Sequence, residues 1–564
     1  MKNLIKNQIK NQTPQGDKQR RMQPSTPKIN YFTDLYNKAR DNYSAALAKY
    51  DNNKTQYSTG KVADGAKNTP VVRNITYELV EAEISTDIPR PRVNPLVHSN
   101  TNAANAAAVE ALCRAVRDNL PFEALNDLDE RLTYVLGGSV WLAEWDNSEH
   151  MPKVSCISPE NFIPEPGITD ISAMNYCFIV TARSREDILE SFGRSVDCDP
   201  DMTPQVVICY WKNGDGRICR YIFCDKTELA DDENIYMRRG RDGQALEFEK
   251  TEAIKTSAGM IPKGKIRAYV PDRFPIVVRR NITKDGELFG QSDCEIIRSQ
   301  QDAVNRIESR IYQKLIRSAV MPYMPEDCRI TPTNSVFGEV VHVDSQDSAA
   351  KFGVIDTTPD IKQDIEQSDR LYNHARRLLG ITDSFTGDTE GGTMSGYAFS
   401  LRVSQSAGRL RSRRVMKNAL YADLDRVIFG LYLAFCDERL PLGFTDSFGV
   451  RHELGFSKYD FVRYDERMGE WYYDDRYLFS VDKSVSSDSQ NSEALWTATL
   501  EFYRDGLFGT PESARARRLC WARLDELGYP GAHGMSKVFE NENNGIDKNG
   551  AEQTENGQRT VSKK

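Results

Sequence analysis

The chain has 564 residues, a formal net charge of −8 and a mean hydropathy of −0.58. No run of eighteen apolar residues occurs, so no membrane-spanning helix is expected. The acidic balance argues against a tight passive grip on nucleic acid, which needs clustered lysine and arginine. It leaves room for a protein along which DNA moves without sticking, because an acidic wall repels phosphate.

The N-terminus is basic but lacks the apolar stretch of a secretory signal, which predicts a cytoplasmic protein. Eleven cysteines occur without one C-x-x-C pair, and the six histidines are isolated from one another. Reduced, mostly buried thiols are expected, with no metal centre.

Residues 1–28 hold seven lysines and arginines against one aspartate. An arm over 1–29 is therefore expected to be disordered. Asn30 is placed to cap a helix running to about Tyr50. Its apolar face would be Phe32, Leu35, Tyr36, Ala39, Tyr43, Ala46, Leu47 and Tyr50, a core stripe. Residues 51–70 read as a loop and "VVRNITYELVEAEIS" (71–85) as helix; the prolines of "TDIPRPRVNP" break it. Helices at about 101–118 and 121–136 follow.

"GGSVWLAEWD" (137–146) then switches to strand character. "KVSCI", "NYCFIVTA", "QVVICYW", "RICRYIFC" and "FPIVVRR" continue it to about residue 280. "SREDILESFG" (184–193) interrupts as a short helix, with Ser184 as cap and Gly193 as stop. The pattern defines an α+β body over 30–289.

Residues 290–318 carry one uninterrupted helical period, roughly 40 Å long at 1.5 Å per residue. Ile297, Val304, Ile307, Ile311 and Leu315 form its narrow apolar stripe. Arg306, Arg310, Lys314 and Arg317 form a basic flank, and so narrow a stripe on so long a helix suggests packing against other helices, those of neighbouring subunits included. Residues 319–358 hold six acids against two bases, with two short strands, "GEVVHVD" and "KFGVID".

Helix returns over 359–379. Thr358 is its expected cap, Pro359 its first residue and Gly380 its stop. Ile361, Ile365, Tyr372 and Leu379 are expected to share a face. The two helices read as an antiparallel pair with a β-rich tip. A glycine-rich loop (380–394) precedes a long helix over 395–438, with a kink expected at "SQSAG" around Ser404, Ser406 and Gly408. Strands over 439–483, two terminal helices over 484–530 and a polar tail over 531–564 complete the chain.

The stretch "TGDTEGGTMSG" (386–396) fails as a phosphate cradle. Gly387 is followed five residues later by Gly392 and then Thr393, with no lysine. Asp383, Asp388 and Glu390 oppose phosphate, and a helix rather than a strand precedes the loop. The D-x-D pairs Asp127/Asp129 and Asp423/Asp425 could in principle hold magnesium. Residues two apart on a helix diverge, so ion pairing is the expected role. No nucleophile with an adjacent base stands out.

This order of elements resembles the portal proteins of tailed double-stranded DNA bacteriophages, of siphophage type, over roughly residues 30–530. "ISPENFIPEPGITDISAMNYCFIVTARSREDILESFG" (157–193) is similar to the portal wing segment. "GQSDCEIIRSQQDAVNRIESRI" (290–311) is similar to the first stem helix. "SGYAFSLRVSQSAGRLR" (395–411) resembles the kinked helix after the tunnel loop, and "LEFYRDGLFGTPESARARRL" (500–519) the crown.

The resemblance implies a non-enzymatic ring, usually of twelve subunits and possibly thirteen when free, at one capsid vertex. Double-stranded DNA would pass through its channel on packaging and ejection. No cofactor is implied. The partners would be the terminase large subunit, head-completion adaptors, and the major capsid and scaffolding proteins, with no membrane. The chain would be found in the virion, and in the host cytoplasm during assembly.

On this map the tunnel loop facing DNA comprises Asp383, Gly387, Asp388, Glu390, Gly391, Gly392 and Thr393. The clip, where terminase or adaptor docks, comprises Glu326, Asp327, Arg329, Glu339 and Asp344. Stem packing between subunits falls to Ile297, Val304, Ile307, Ile311, Leu315, Arg306, Arg310, Ile365 and Tyr372. Another head–tail connector or minor capsid protein is the alternative structural reading. A magnesium-dependent nuclease or nucleotidyltransferase is the enzymatic one.

Overall fold

The computed structural model describes residues 22, 24, 27–62, 70–97, 99–196, 203–237 and 247–317 (short of 252–253, 257–258 and 262–263), four strands between 320 and 356, and 360–381, 396–445, 451–482 without 468, 489–510, 513–526, 529, 532 and 535. It contains both helices and sheets, an α+β protein. Two compact units are present. One comprises residues 1–48, 84–292 and 388–564; the other comprises 49–83 and 293–387.

In the first unit a five-stranded antiparallel sheet is ordered β4(Phe162–Pro164), β5(Tyr176–Ala182), β6(Gln205–Lys212), β7(Ile218–Cys224), β8(Thr227–Asp232). Its middle strands are apolar at nearly every position because both faces are covered. Val206, Ile208 and Tyr210 join the main core, while Val207, Cys209 and Trp211 face a second cluster. Side chains alternate across a strand, so a continuous apolar run needs two partners.

The second partner is helix α1(Lys28–Thr59). Its Phe32, Tyr36 and Ala39 are buried there, and Phe32 stacks on Tyr221 at 4.6 Å between ring centroids. Met22 is buried in the same cluster. The helix starts at Lys28, not after an Asn30 cap, and runs nine residues past Tyr50, through a stretch expected to be loop.

Helices α3(Asn100–Asn119) and α4(Phe122–Leu136) end as their sequences suggest. Gly137 stops α4 in the left-handed region at φ +89, where a Cβ would meet the Gly290 carbonyl oxygen at 2.2 Å. Only glycine fits that approach. The next strands form a three-stranded sheet, β13(Ile276–Arg280)–β2(Gly138–Asp146)–β3(Met151–Ile157). Helix α5(Arg185–Phe192) is capped by the Ser184 hydroxyl and closed by Gly193, as read from sequence.

The proline-rich stretch after residue 85 forms a strand, β1(Arg90–Pro95), paired antiparallel with β22(Tyr477–Asp482). Its prolines are tolerable because this is a two-stranded edge. Helix α9(Gly396–Phe435) is 40 residues long. It buries Leu420, Leu424, Val427, Ile428 and Leu431 in the main core. Strand β12(Gly264–Arg267) lies between β9(Phe248–Thr251) and β21(Glu470–Tyr473), parallel to the latter. Helices α10(Ser489–Arg504) and α11(Ala514–Glu526) end the described fold. Ser513 caps α11.

The second unit holds α2(Ile75–Glu83), α6(Asp293–Ile296), α7(Arg298–Arg317) and α8(Lys362–Leu379). The expected single helix over 290–318 begins at Asp293 and is interrupted at Ile297. Its main segment of 20 residues is roughly 30 Å long. Between α7 and α8 the acidic segment contains four strands rather than two. Val320–Tyr323 pairs with Gly353–Asp356, and Pro332–Ser335 with Gly338–Val341. Pro322 and Pro332 both lie within these two-stranded pairings. Helix α8 begins at Lys362, not at Pro359, and Ile361 makes no side-chain cap bond. Gly380 ends it at φ +91, as expected.

Candidate functional site

Helices α7 and α8 are antiparallel, as their side-chain pairs show. Lys314 and Arg310 meet Asp364, Glu308 accepts from Ser368 at 2.7 Å, and Gln300 lies 3.5 Å from His374. Residue numbers fall on one helix as they rise on the other. Ile297 and Val304 pack with Ala375, Leu379, Ile75 and Leu79. Ile307 and Ile311 are buried too. The stripe of α7 thus finds its cover within this chain along most of its length.

Two expected packing residues do not. Leu315 is 48% exposed and Ile365 is 45% exposed. The buried face of α8 is Asp364, Ser368, Ala375 and Leu379. That face keeps Leu379 but turns away from Ile365, because polar pairing to α7 sets it. The basic flank is paired inside the unit: Arg306 with Asp302 at 2.6 Å, and Arg310 with Asp364 at 3.1 Å. A hydrogen bond from Lys314 holds the Asp364 carboxyl below its ordinary range, aided by Arg310. Tyr372 donates to Glu78, and Arg73 lies over its ring at 5.0 Å.

A ladder of buried amides fixes the other side of α7. Gln301 donates to the Arg73 carbonyl at 2.8 Å and accepts from the Thr76 amide and hydroxyl, both at 2.9 Å. Asn305 donates to the Gly60 carbonyl at 2.7 Å, and Ser309 to the Val71 carbonyl at 3.0 Å. Gln56 donates to the Cys294 carbonyl at 2.8 Å. Within the stretch expected to be loop, Asn53 and Gln56 are thus buried and bonded inside this unit. Gln301, Asn305 and Ser309 at i, i+4, i+8 were the available signal: a polar stripe on one helix face.

In the first unit, α9 lies over a cluster of buried charges. Asp129 accepts from Ser139, from the Trp141 indole at 2.8 Å, and from Arg279. Glu130 pairs with Arg279 at 2.7 Å and with Lys417 of α9 at 3.0 Å. Burial would raise Glu130, but Arg279 and Lys417 reverse this and hold it below its ordinary value. Two cations face two carboxylates, so the cluster is neutral as a whole. A second pair, Arg117–Asp425 at 2.6 Å, ties α9 to α3.

Both D-x-D motifs are engaged in this way. Asp127 pairs with Arg131 and Asp423 with Arg426, both on the surface, while Asp129 and Asp425 point inward. Arg413 is buried, with its guanidinium over the Tyr134 ring at 5.3 Å.

The remaining sequence-derived positions fall elsewhere. Asp383, Gly387, Asp388, Glu390, Gly391, Gly392 and Thr393 lie outside the described residues, as do Glu326, Asp327, Arg329 and Asp344. Glu339 is placed in its strand by the backbone, opposite Asn334. Helix α9 runs unbroken through Ser404, Ser406 and Gly408.

Among the described residues no group of three or more His, Cys, Asp or Glu side chains is placed to hold a metal ion. No described helix is long and apolar enough to cross a membrane. No protein-family model matches the chain, and no curated protein matches it.

Proposed function

We propose that this chain is the subunit of a ring-shaped DNA conduit, a portal of the tailed-bacteriophage type. The observation that carries the reading is the second unit. An antiparallel pair of charged helices has β-hairpins inserted at its far end, between residues 317 and 362. The chain then continues into a 40-residue helix whose second half is buried in the α+β body.

A ring also accounts for apolar side chains that are partly exposed on these two helices. Tyr312, Leu315 and Ile316 on α7 and Ile365 on α8 are 46%, 48%, 63% and 45% exposed. Such a patch fits contact with a neighbouring copy. The same ring would place the acidic hairpins and loop where DNA passes and where terminase or an adaptor docks. The alternative of metal-dependent nuclease chemistry has little support. Its best carboxylates, Asp129 and Asp425, are buried against arginines.

Native mass spectrometry of the full chain tests this. The expected species is a closed ring of about twelve or thirteen subunits. A protein that stays monomeric or dimeric at high concentration would overturn it. Replacing Leu315 and Ile365 together with Glu should shift the ring to free subunits without unfolding them.

A further inference from the structure

Helix α9 is attached to the body in two chemically different ways. From Leu420 onward it enters the main core through Leu420, Tyr421, Leu424, Val427, Ile428 and Leu431. Between Ser412 and Ala419 the buried side chains are Arg413 and Lys417, both cations. Val415, in the same stretch, is 53% exposed.

The two cations meet α4 in register. Arg413 lies over the Tyr134 ring at 5.3 Å, Lys417 pairs with Glu130 at 3.0 Å, and the Tyr421 hydroxyl donates to Asn126 at 3.3 Å. Each step of four residues up α9 is a step of four down α4. The two helices are therefore antiparallel, with one ladder of polar pairs between them. Arg413 and Lys417 are its rungs ahead of the apolar core. Lys417 also reaches the Ser85 carbonyl at 3.4 Å.

Such a contact holds less firmly than an apolar one. Taking a charge out of water costs nearly as much as its buried partner returns, and an apolar pair of similar size often holds better. Lys417 shows the balance. Burial outweighs the attraction of Glu130 and holds its ammonium below its ordinary value. When Lys417 leaves, the ammonium regains water, and Glu130 keeps Arg279 at 2.7 Å. Leu420 and Leu424 gain nothing from water by leaving.

We propose that residues 412–419 of α9 are a latch, closed on the body by Arg413 and Lys417 and able to open while the helix stays seated from Leu420 onward. Local openings of this kind occur where few apolar contacts hold a segment. Opening would let the chain ahead of Leu420 shift against the body without exposing the core. The latch follows from these contacts alone, whatever assembly the chain forms.

The test is hydrogen exchange of the full chain, read on peptides covering 412–419 and 424–433 at several low denaturant concentrations. A helical segment freed of its packing protects its amides poorly. In wild type, 412–419 should exchange at least about tenfold faster than 424–433, with little dependence on denaturant. Lys417→Met leaves Glu130 covered without its second cation, and should speed exchange at 412–419 at least about tenfold more. Lys417→Met with Glu130→Met leaves Asp129 and Arg279 as a neutral pair under an apolar contact, and should slow that exchange below wild type. Equal exchange of the two stretches in wild type, with the same denaturant dependence, would overturn the latch. So would fast exchange at 412–419 that neither variant changes, which is fraying of the helix rather than release from α4. The wild-type comparison decides even where a variant does not fold.

Discussion

Asp129 has three donors converging on one buried carboxylate: Ser139, Trp141 and Arg279. Removing it would leave an indole N–H and a hydroxyl without partners, and the Arg279 guanidinium with Glu130 alone. Asp129→Ala is therefore expected to cost about 3–5 kcal/mol, the range for breaking a buried ion pair. A shift in the denaturant midpoint measures it, and a loss under about 1 kcal/mol would refute the assigned role. Asp425 makes a pH prediction. Burial pushes its carboxyl up to about 6, against the pull of Arg117, from an ordinary value of 3.8. Between those values the folded chain binds the proton more tightly than the unfolded chain. The group's contribution to stability therefore falls as pH rises through that window and levels above it. Asp425→Asn cannot titrate, so melting profiles should show the variant gaining on wild type across that window. A gap independent of pH would contradict the assignment.

At the scale of elements, the amide ladder decides how the second unit holds together. Gln301→Ala should leave the Thr76 amide and the Arg73 carbonyl without their buried partner. The expected cost is about 2 kcal/mol, from groups left unsatisfied at 1–3 kcal/mol each. Hydrogen exchange would report it as faster exchange at Thr76 and along α2, with the five-stranded sheet unaffected. Equal protection in the variant would mean that apolar packing alone fixes α2. The short helix at 185–192 was fully legible, because its cap and its glycine stop act within a few residues. The end of α1 was not, because Asn53 and Gln56 are buried only through bonds to Arg298 and the Cys294 carbonyl, far along the chain.

For the molecule as a whole, the charge balance and the glycine-rich segment make one joint expectation. If residues 386–392 act on moving DNA rather than on assembly, deleting them should leave ring mass unchanged and reduce packaging of DNA into heads. Loss of the ring would instead make the segment structural, and full packaging would remove its proposed role.

The sequence by itself determined the α+β class, the aromatic core face of α1 and the pairing of α7 with α8. These depend on periodicity and on caps, which are local. Only the tertiary structure decided which polar side chains are interior. Asp129, Glu130, Arg279 and Lys417 lie 288 residues apart at the extremes and neutralise one another in a buried cluster. Arg310 and Asp364 likewise rotate the buried face of α8 away from Ile365. A charge carries no mark of its partner in the sequence. Burial is possible only where the fold supplies that partner within hydrogen-bonding distance.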